Sequence, residues 1–372
     1  MHTRRSLLIL LLVLKLTTSK GQCNCHLELC DKRYNEIAYL TTHNAFNSNQ
    51  DHFMFPNQEF NITRQLTDGV RALMIDVYEK DGVPTVYHGN SILGSEPLSY
   101  NLNEIHDFLI HNPKEVVTII FECYVSADVI ETALKNADLL TMTYTITKNA
   151  QWPTLRELID TNKRLMIFSD KNDASINQKW YHYVWDYAVE TSFSAVETSD
   201  LNSSFNRGNA SNYLFILNHF LVNKTLGTGS KSNAKTANSN PFMINRINNF
   251  RTETARFPNF ITVDFYDIGD CMENVNKLNQ VQNITVTGFD LNEAATLMPN
   301  PLIINSVIQM PKAARPPFYL QLYSFNGEKV RDKSKIWETQ FKLERNDLTK
   351  GIYLLIITDV EQRVYCLKVI VN

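Results

Sequence analysis

The sequence predicts an α/β protein, a TIM-like (β/α) barrel followed by a small all-β sandwich. Three observations carry that expectation. Short apolar runs alternate with amphipathic ones over about 250 residues. The apolar runs lack polar alternation, as parallel strands buried on both faces do. Near Met298 the texture changes to short strand-like runs separated by turns.

The 372 residues suit a barrel-sized domain plus a small module. Residues 1–21 read as a signal peptide: Arg4 and Arg5, an apolar run from Leu7 to Leu14, then Ser19 and Gly21. That run is too short for a bilayer anchor. Lys20 stands where a lipoprotein signal has an apolar residue, so Cys23 is not read as a lipid attachment site. Cleavage after Gly21 removes Arg4, Arg5, Lys15 and Lys20, leaving a chain more acidic than the full-length net charge of -3. No basic field favours nucleic acid.

Residues 22–297 form the expected barrel. Cys23, Cys25 and Cys30 crowd its start. In an exported chain such a cluster predicts a disulfide that pins the N-terminal arm, with a zinc site using His26 as the alternative. Cys123 reads as a buried free thiol. The predicted strands are Ile37–Thr42, Val70–Val77, Thr85–Tyr87, Val116–Cys123, Arg164–Phe168, Leu214–Asn218 and Phe260–Phe265. Helical segments fall at Glu59–Thr67, Leu102–His111, Ala127–Asn136, Thr154–Asp160, Pro241–Arg256 and Met272–Asn279, with Asn101 and Ser126 as N-caps. No glycine-rich phosphate loop follows the first strand, which weakens a dinucleotide-binding reading. The polar stretch Asn223–Asn240 reads as a long mobile loop over the barrel mouth.

Residues 298–372 open on Pro299-Asn300-Pro301 and continue as runs at Phe318–Tyr323, Thr339–Leu343, Ile352–Ile357 and Val364–Val371, with turns at Asn326-Gly327 and Lys350-Gly351. This module holds no cluster of catalytic residue types.

Barrel enzymes carry their reactive groups at the C-terminal ends of the strands. Here those ends bear His43 and Asn44, Asp76, His88, Glu122, Asp170 and Lys171, His219, and Asp264. A lone histidine at a strand end is commonly structural. Asp76 and Glu122 inside apolar strands need a partner, because an unpaired buried carboxylate is costly. Arg71, five positions before Asp76, points to the other face. Two histidines with convergent carboxylates suit cleavage of a phosphodiester, one imidazole taking a proton and the other returning it.

The segments Thr41-Thr42-His43-Asn44-Ala45-Phe46, Gly69-Val70-Arg71-Ala72-Leu73-Met74-Ile75-Asp76 and Tyr87-His88-Gly89 resemble the X-domain of phosphatidylinositol-specific phospholipases C, in its secreted plant and microbial branch. The resemblance spans about residues 33 to 280. It implies a secreted phosphoric diester hydrolase that attacks a phosphoinositide, with or without a glycan, through the inositol 2-hydroxyl at a transient membrane surface. It further implies His43 and His88 as the catalytic pair. Asn44, Asp76 and Glu122 match calcium ligands, while Lys171, His219 and Asp264 are candidate substrate contacts. Two departures stand out. Metal-dependent members carry a glutamate where this chain has Met74, and metal-independent ones an arginine where it has Tyr78. With three oxygen ligands kept and the arginine absent, Ca²⁺ is expected. Glycerophosphodiester phosphodiesterases and sphingomyelinase D-like barrels also pair histidines with a metal. A surface binding protein with impaired catalysis is the reading that Met74 supports.

The tail, with Leu322-Tyr323-Ser324-Phe325-Asn326-Gly327, Leu348-Thr349-Lys350-Gly351-Ile352-Tyr353 and Lys368-Val369-Ile370-Val371, resembles the C-terminal sorting domain of type IX secretion cargo. That implies export to the medium or outer surface of a Gram-negative bacterium, with the secretion machinery as partner. A sandwich that binds carbohydrate or packs on the barrel is the alternative.

Overall fold

A computed structural model describes residues 23–223, 228–281, 295–324, 329–361 and 363–371. The expected signal peptide and the Asn326-Gly327 turn lie outside them. The chain divides into two compact units, Met1–Val281 and Gln282–Asn372.

The first unit is built on an eleven-stranded sheet: β1 (Tyr39–Thr42), β2 (Ala72–Lys80), β3 (Val83–Val86), β4 (Glu96–Pro97), β5 (Val117–Cys123), β6 (Leu165–Ser169), β7 (Tyr181–Tyr183), β8 (Ala188–Thr191), β9 (Phe205–Gly208), β10 (Leu214–Asn218) and β11 (Phe260–Val263). The main path runs β7-β6-β5-β2-β1-β11-β10-β8-β9. Every neighbour pair from β7 to β8 is parallel, and β9 returns antiparallel on β8. The expected barrel is thus a curled parallel sheet whose edges, β7 and β9, are not joined by strand pairing among the described residues. β3 and β4 hang from β2 as an antiparallel hairpin.

Among the described residues seven α-helices accompany the strands: α1 (Ile62–Thr67), α2 (Leu98–His111), α3 (Ala127–Asn136), α4 (Leu155–Asp160), α5 (Lys231–Asn238), α6 (Phe242–Thr254) and α7 (Cys271–Asn279). Asn61 caps α1 through Arg64 N–H, and Thr154 with Glu157 forms a capping box on α4. Of the two N-cap readings, Ser126 holds by position and Asn101 needs correction. α2 starts at Leu98, so Asn101 lies inside it, buried, donating to Glu96 Oε1 at 2.7 Å. Ser126 occupies the cap position of α3 without a side-chain capping bond. The loop reading of Asn223–Asn240 is also corrected. Ser230 caps α5, which buries Ala234, Ala237 and Asn238. Those small residues, three and four apart, make a narrow buried stripe in an otherwise polar segment.

Strand residues alternate between two cores. Leu40, Leu73, Ile75, Ile119, Phe121, Ile167, Phe215, Leu217 and Ile261 pack with the helices. Tyr39, Ala72, Ile120, Phe168, Ala188, Ile216 and Phe260 fill the inside of the curl. Below them the N-terminal arm closes the floor. Tyr34 is fully buried and stacks on Trp152 with ring centroids 5.4 Å apart. The disulfide joins Cys23 to Cys30, so the zinc alternative falls, and Asn24 Oδ1 accepts Val116 N–H at 2.7 Å. Cys123 is a buried free thiol, as expected. Arg71 pairs with Glu115 at 2.7 Å, away from Asp76.

Glu96 gives the fold a pH dependence. Burial raises its carboxyl to about 7, partly offset by the bond from Asn101. A raised carboxyl pKa means stability present below the unfolded value and lost as pH rises through the folded one. Glu96→Gln therefore gains melting temperature relative to the parent as pH rises from about 4.5 through 7, and the gain levels off above that. Melting curves at pH 5 and pH 8 check this; an equal shift at both would show that Glu96 is charged throughout.

Among its described residues the second unit has seven strands: β12 (Thr296–Met298), β13 (Asn305–Gln309), β14 (Phe318–Ser324), β15 (Lys329–Ile336), β16 (Gln340–Glu344), β17 (Gly351–Thr358) and β18 (Val364–Val371). They form antiparallel sheets β12-β13-β16 and β15-β14-β17-β18. One core, with Ile308, Phe318, Leu320, Leu322, Leu343, Leu355, Ile357 and Val369, serves both. β12 begins at Thr296, two residues before the boundary read from sequence. No helix among the described residues is long and apolar enough to cross a membrane.

Candidate active site

Side chains alternate along a strand, so the residues that fill the inside of the curl predict which strand-end groups reach its mouth. From Tyr39, steps of two lead to Thr41 and His43. From Ala72 they lead to Met74, Asp76 and Tyr78. From Ile120 they lead to Glu122 and Tyr124, from Phe168 to Asp170, from Ala188 to Glu190, from Ile216 to Asn218 and Phe220, and from Phe260 to Asp264. A cleft at that mouth is lined by His43, Asn44, Met74, Asp76, Glu122, Asp170, Glu190, Arg207, Asn218 and Phe220, among others.

Each histidine is backed by its own carboxylate. His43 Nδ1 donates to Asp264 Oδ1 at 2.9 Å, and Asn57 Nδ2 donates to the same oxygen at 3.0 Å. Phe220 stacks on the His43 ring at 4.0 Å and fixes its plane. Asp264 is buried, and its Oδ2 has no protein donor among the described residues. The chain passes close over it: a Cβ on Gly229 would lie 2.3 Å from Oδ2, so only glycine fits.

His88 follows β3. Its Nδ1 lies 3.1 Å from Asp76 Oδ2 and 3.1 Å from Asn44 Nδ2. Asn44 has φ 45°, a left-handed conformation that asparagine tolerates better than most residues. The two imidazole rings stand 6.4 Å apart, edge to face. The hydrogen bond to Asp76 pushes the His88 imidazole toward its protonated form. Burial, reinforced by nearby Glu122, raises the Asp76 carboxyl, while its bond to His88 opposes that rise.

Asp76 and Glu122 face each other in register on β2 and β5. The Asn44 amide nitrogen also donates to Asn57 Oδ1 at 3.1 Å, which leaves its oxygen for a ligand. Two carboxylates and an amide on one wall are a hard-oxygen donor set of the kind that fits Ca²⁺ with water completing the shell. Among the described residues no three His, Cys, Asp or Glu side chains gather as a metal site.

Lys171 and His219 fall on the other parity and do not line the cleft. Lys171 donates to the Val125 carbonyl at 2.8 Å and pairs with Asp173. His219 is fully buried between the Ala237 carbonyl and Arg246. Burial and the Arg246 charge push its imidazole down to about 3, so it stays neutral. Asp264, read from sequence as a substrate contact, instead holds His43. The cation that does line the cleft is Arg207 on β9, held by Glu190 and stacked on Trp185 at 4.5 Å and Phe193 at 4.6 Å. Sequence reading missed β8 and β9, and with them Glu190 and Arg207. Asp170 and Asn218 stand at strand ends read from the sequence, and Phe220 was reachable by strand parity.

The model of the PI-PLC X family (PI-PLC X 1) matches residues 29–279, about two thirds of the chain. The chain belongs to the PI-PLC X family. A PI-PLC X domain-containing protein of Arabidopsis thaliana is 30% identical over 279 residues, covering 66% of this chain and 62% of that protein. PI-PLC X domain-containing protein 1 of Arthroderma benhamiae is 29% identical over 280 residues, covering 69% and 89%. The chain thus spans somewhat under two thirds of the Arabidopsis relative's length. A mutant of the phosphatidylinositol-specific phospholipase C from Staphylococcus aureus aligns with TM-score 0.48 at 14% identity, over 68% of this chain and 94% of that one. Residues 296–372 match the secretion system C-terminal sorting domain, so the X-domain is followed by a sorting module.

Proposed function

We propose that this X-domain chain is a phospholipase C-like phosphodiesterase that cleaves a phosphoinositide by paired histidine acid-base chemistry. The observation that carries the reading is the pair itself: His43 on Asp264 and His88 on Asp76, ring centroids 6.4 Å apart, with His43 and Asp76 lining the cleft. With Nδ1 engaged by a carboxylate, each ring turns its other nitrogen to the substrate. One imidazole takes the proton of the inositol hydroxyl next to the phosphate as its oxygen bonds to phosphorus. The other gives a proton to the alcohol oxygen as its bond to phosphorus breaks. Asn44, Asp76 and Glu122 would hold Ca²⁺. A cation there supplies positive charge beside the phosphate oxygens as negative charge grows.

The rim fits a transient encounter with a lipid surface. Ile92 and Ile176 are 83% and 85% exposed, and Met54, Phe55 and Phe193 are exposed as well. They follow β1, β3, β6 and β8 in the chain, and Phe193 lines the cleft itself. Phe53 differs: it is buried, against Phe46 and Gly94.

One experiment tests substrate and surface together. The enzyme should release inositol phosphate from phosphatidylinositol vesicles and from a soluble chromogenic inositol phosphodiester. Turnover of glycerophosphocholine alone would reassign it to glycerophosphodiester chemistry. The double variant Phe55→Ser, Ile92→Ser should bind vesicles at least about tenfold more weakly, since each large apolar side chain is worth about 1.5–3 kcal/mol when buried. Its rate on the soluble substrate should hold within about twofold. Equal losses on both substrates would assign the rim a packing role.

A further inference from the structure

Tyr78 stands where metal-independent relatives are expected to carry an arginine, and the functional reading leaves it without a task. In the fold it is the middle of three stacked rings. Its centroid lies 4.0 Å from Tyr87 and 4.2 Å from Tyr124, with planes inclined by only 15° and 7°. The three rings come from three adjacent strands: Tyr87 follows β3, Tyr78 is on β2 and Tyr124 follows β5. Val77 pairs with Cys123, which brings Tyr78 and Tyr124 side by side. Two residues earlier on the same faces stand Asp76 and Glu122. The stack therefore lies directly above the carboxylate pair. The two are joined by one bond, Tyr124 Oη donating to Glu122 Oε1 at 2.6 Å.

We propose that Tyr87, Tyr78 and Tyr124 form a positioning ladder that fixes the Glu122 carboxylate toward the cleft and so sets the strength of divalent-cation binding there. Glu122 is exposed, and its side chain has three rotatable bonds. Left alone it would lose rotamer entropy on binding a cation. Tyr124 is itself 56% exposed, so its ring needs the stack to hold it. Tyr78, sandwiched between two rings, transmits order from the β2-β3 hairpin to the Glu122 wall. Loss of a group that holds a metal-ligating carboxylate in place typically costs about 10–100-fold in metal affinity.

The inference rests on the cation reading above, and the test separates the two. Ca²⁺ binding is measured by calorimetry on the intact chain, and Tb³⁺ serves as an optical probe excited through tyrosine. Tyr124→Phe keeps the ring and loses the hydroxyl; it should weaken Ca²⁺ binding about tenfold. Tyr78→Leu breaks the stack and should weaken it to a similar degree. Tyr78→Phe should stay within about threefold of the parent. Melting curves establish that each variant is folded; should Tyr78→Leu not fold, Tyr87→Leu, which breaks the stack from its other side, takes its place. A parent that binds Ca²⁺ with both Tyr124→Phe and Tyr78→Leu within twofold of it would overturn the ladder alone. A loss in Tyr124→Phe without one in Tyr78→Leu would also overturn it, reducing it to a single hydrogen bond. A parent that binds neither ion would overturn the cation reading and the ladder with it.

Discussion

His43→Ala and His88→Ala should each lower turnover of an inositol phosphodiester by about 10²–10⁴-fold, the range for loss of a general acid or base. Neither ring carries much of the fold. His43 contacts Asp264 and Phe220 at the mouth of the curl, and Asp264 keeps the bond from Asn57 when the imidazole is removed. His88 is partly exposed beside Asp76. Melting temperature should therefore move little while activity collapses. Double replacement should cost far less than the product of the single losses, because the two groups act in one proton relay. The measurement is turnover at saturating substrate with circular dichroism on the same samples. Near-normal turnover of either variant on both the inositol and glycerol diesters would remove the paired-histidine mechanism.

Chelation should abolish turnover, and added Ca²⁺ should restore it. A phosphodiester is already anionic and gains charge at phosphorus in the transition state, so a fixed cation is needed close by. With Met74 in place of a fourth ligand, affinity should be weak, roughly 10⁻⁴–10⁻³ M as in extracellular calcium modules. Glu122→Gln should raise the Ca²⁺ requirement about tenfold or more, without the direct effect on His88 that a change at Asp76 would bring. The rival cation is Arg207, which lines the same cleft. Full turnover in excess chelator, with loss in Arg207→Ala, would transfer the electrostatic role to that guanidinium. Lys171 is no second rival, since its amine is spent on Val125 and Asp173.

Local signals account for much of what was legible. Long apolar runs without polar alternation marked β1, β2, β5, β6, β10 and β11, because a parallel strand covered on both faces must be apolar on both. β8 and β9 escaped. β8 is four residues long and carries Glu190, while β9, Phe205–Gly208, is polar and exposed. Such strands exist through pairing with a neighbour, which no local window contains. β15, read as Lys-Val-Arg-Asp-Lys-Ser-Lys-Ile, was hidden in the same way. α5 was hidden by composition, since its buried stripe is made of alanine and asparagine.

By itself the sequence determined the class of the chain, the presence of a second, all-β part and the residues proposed here for proton chemistry. His43, Asp76, His88 and Glu122 sit in short motifs whose strand ends are fixed by adjacent apolar residues. Only the tertiary structure decided which partner each one meets. Asp264 lies 221 positions from His43 in sequence and 2.9 Å away in space. Lys171 and His219 looked equivalent to the others until strand parity turned them away from the cleft, and Arg207 entered it from an edge strand. The reason is physical. A strand's own residues set its two faces, but which face looks inward, and what stands opposite, depends on how distant strands pair and curl.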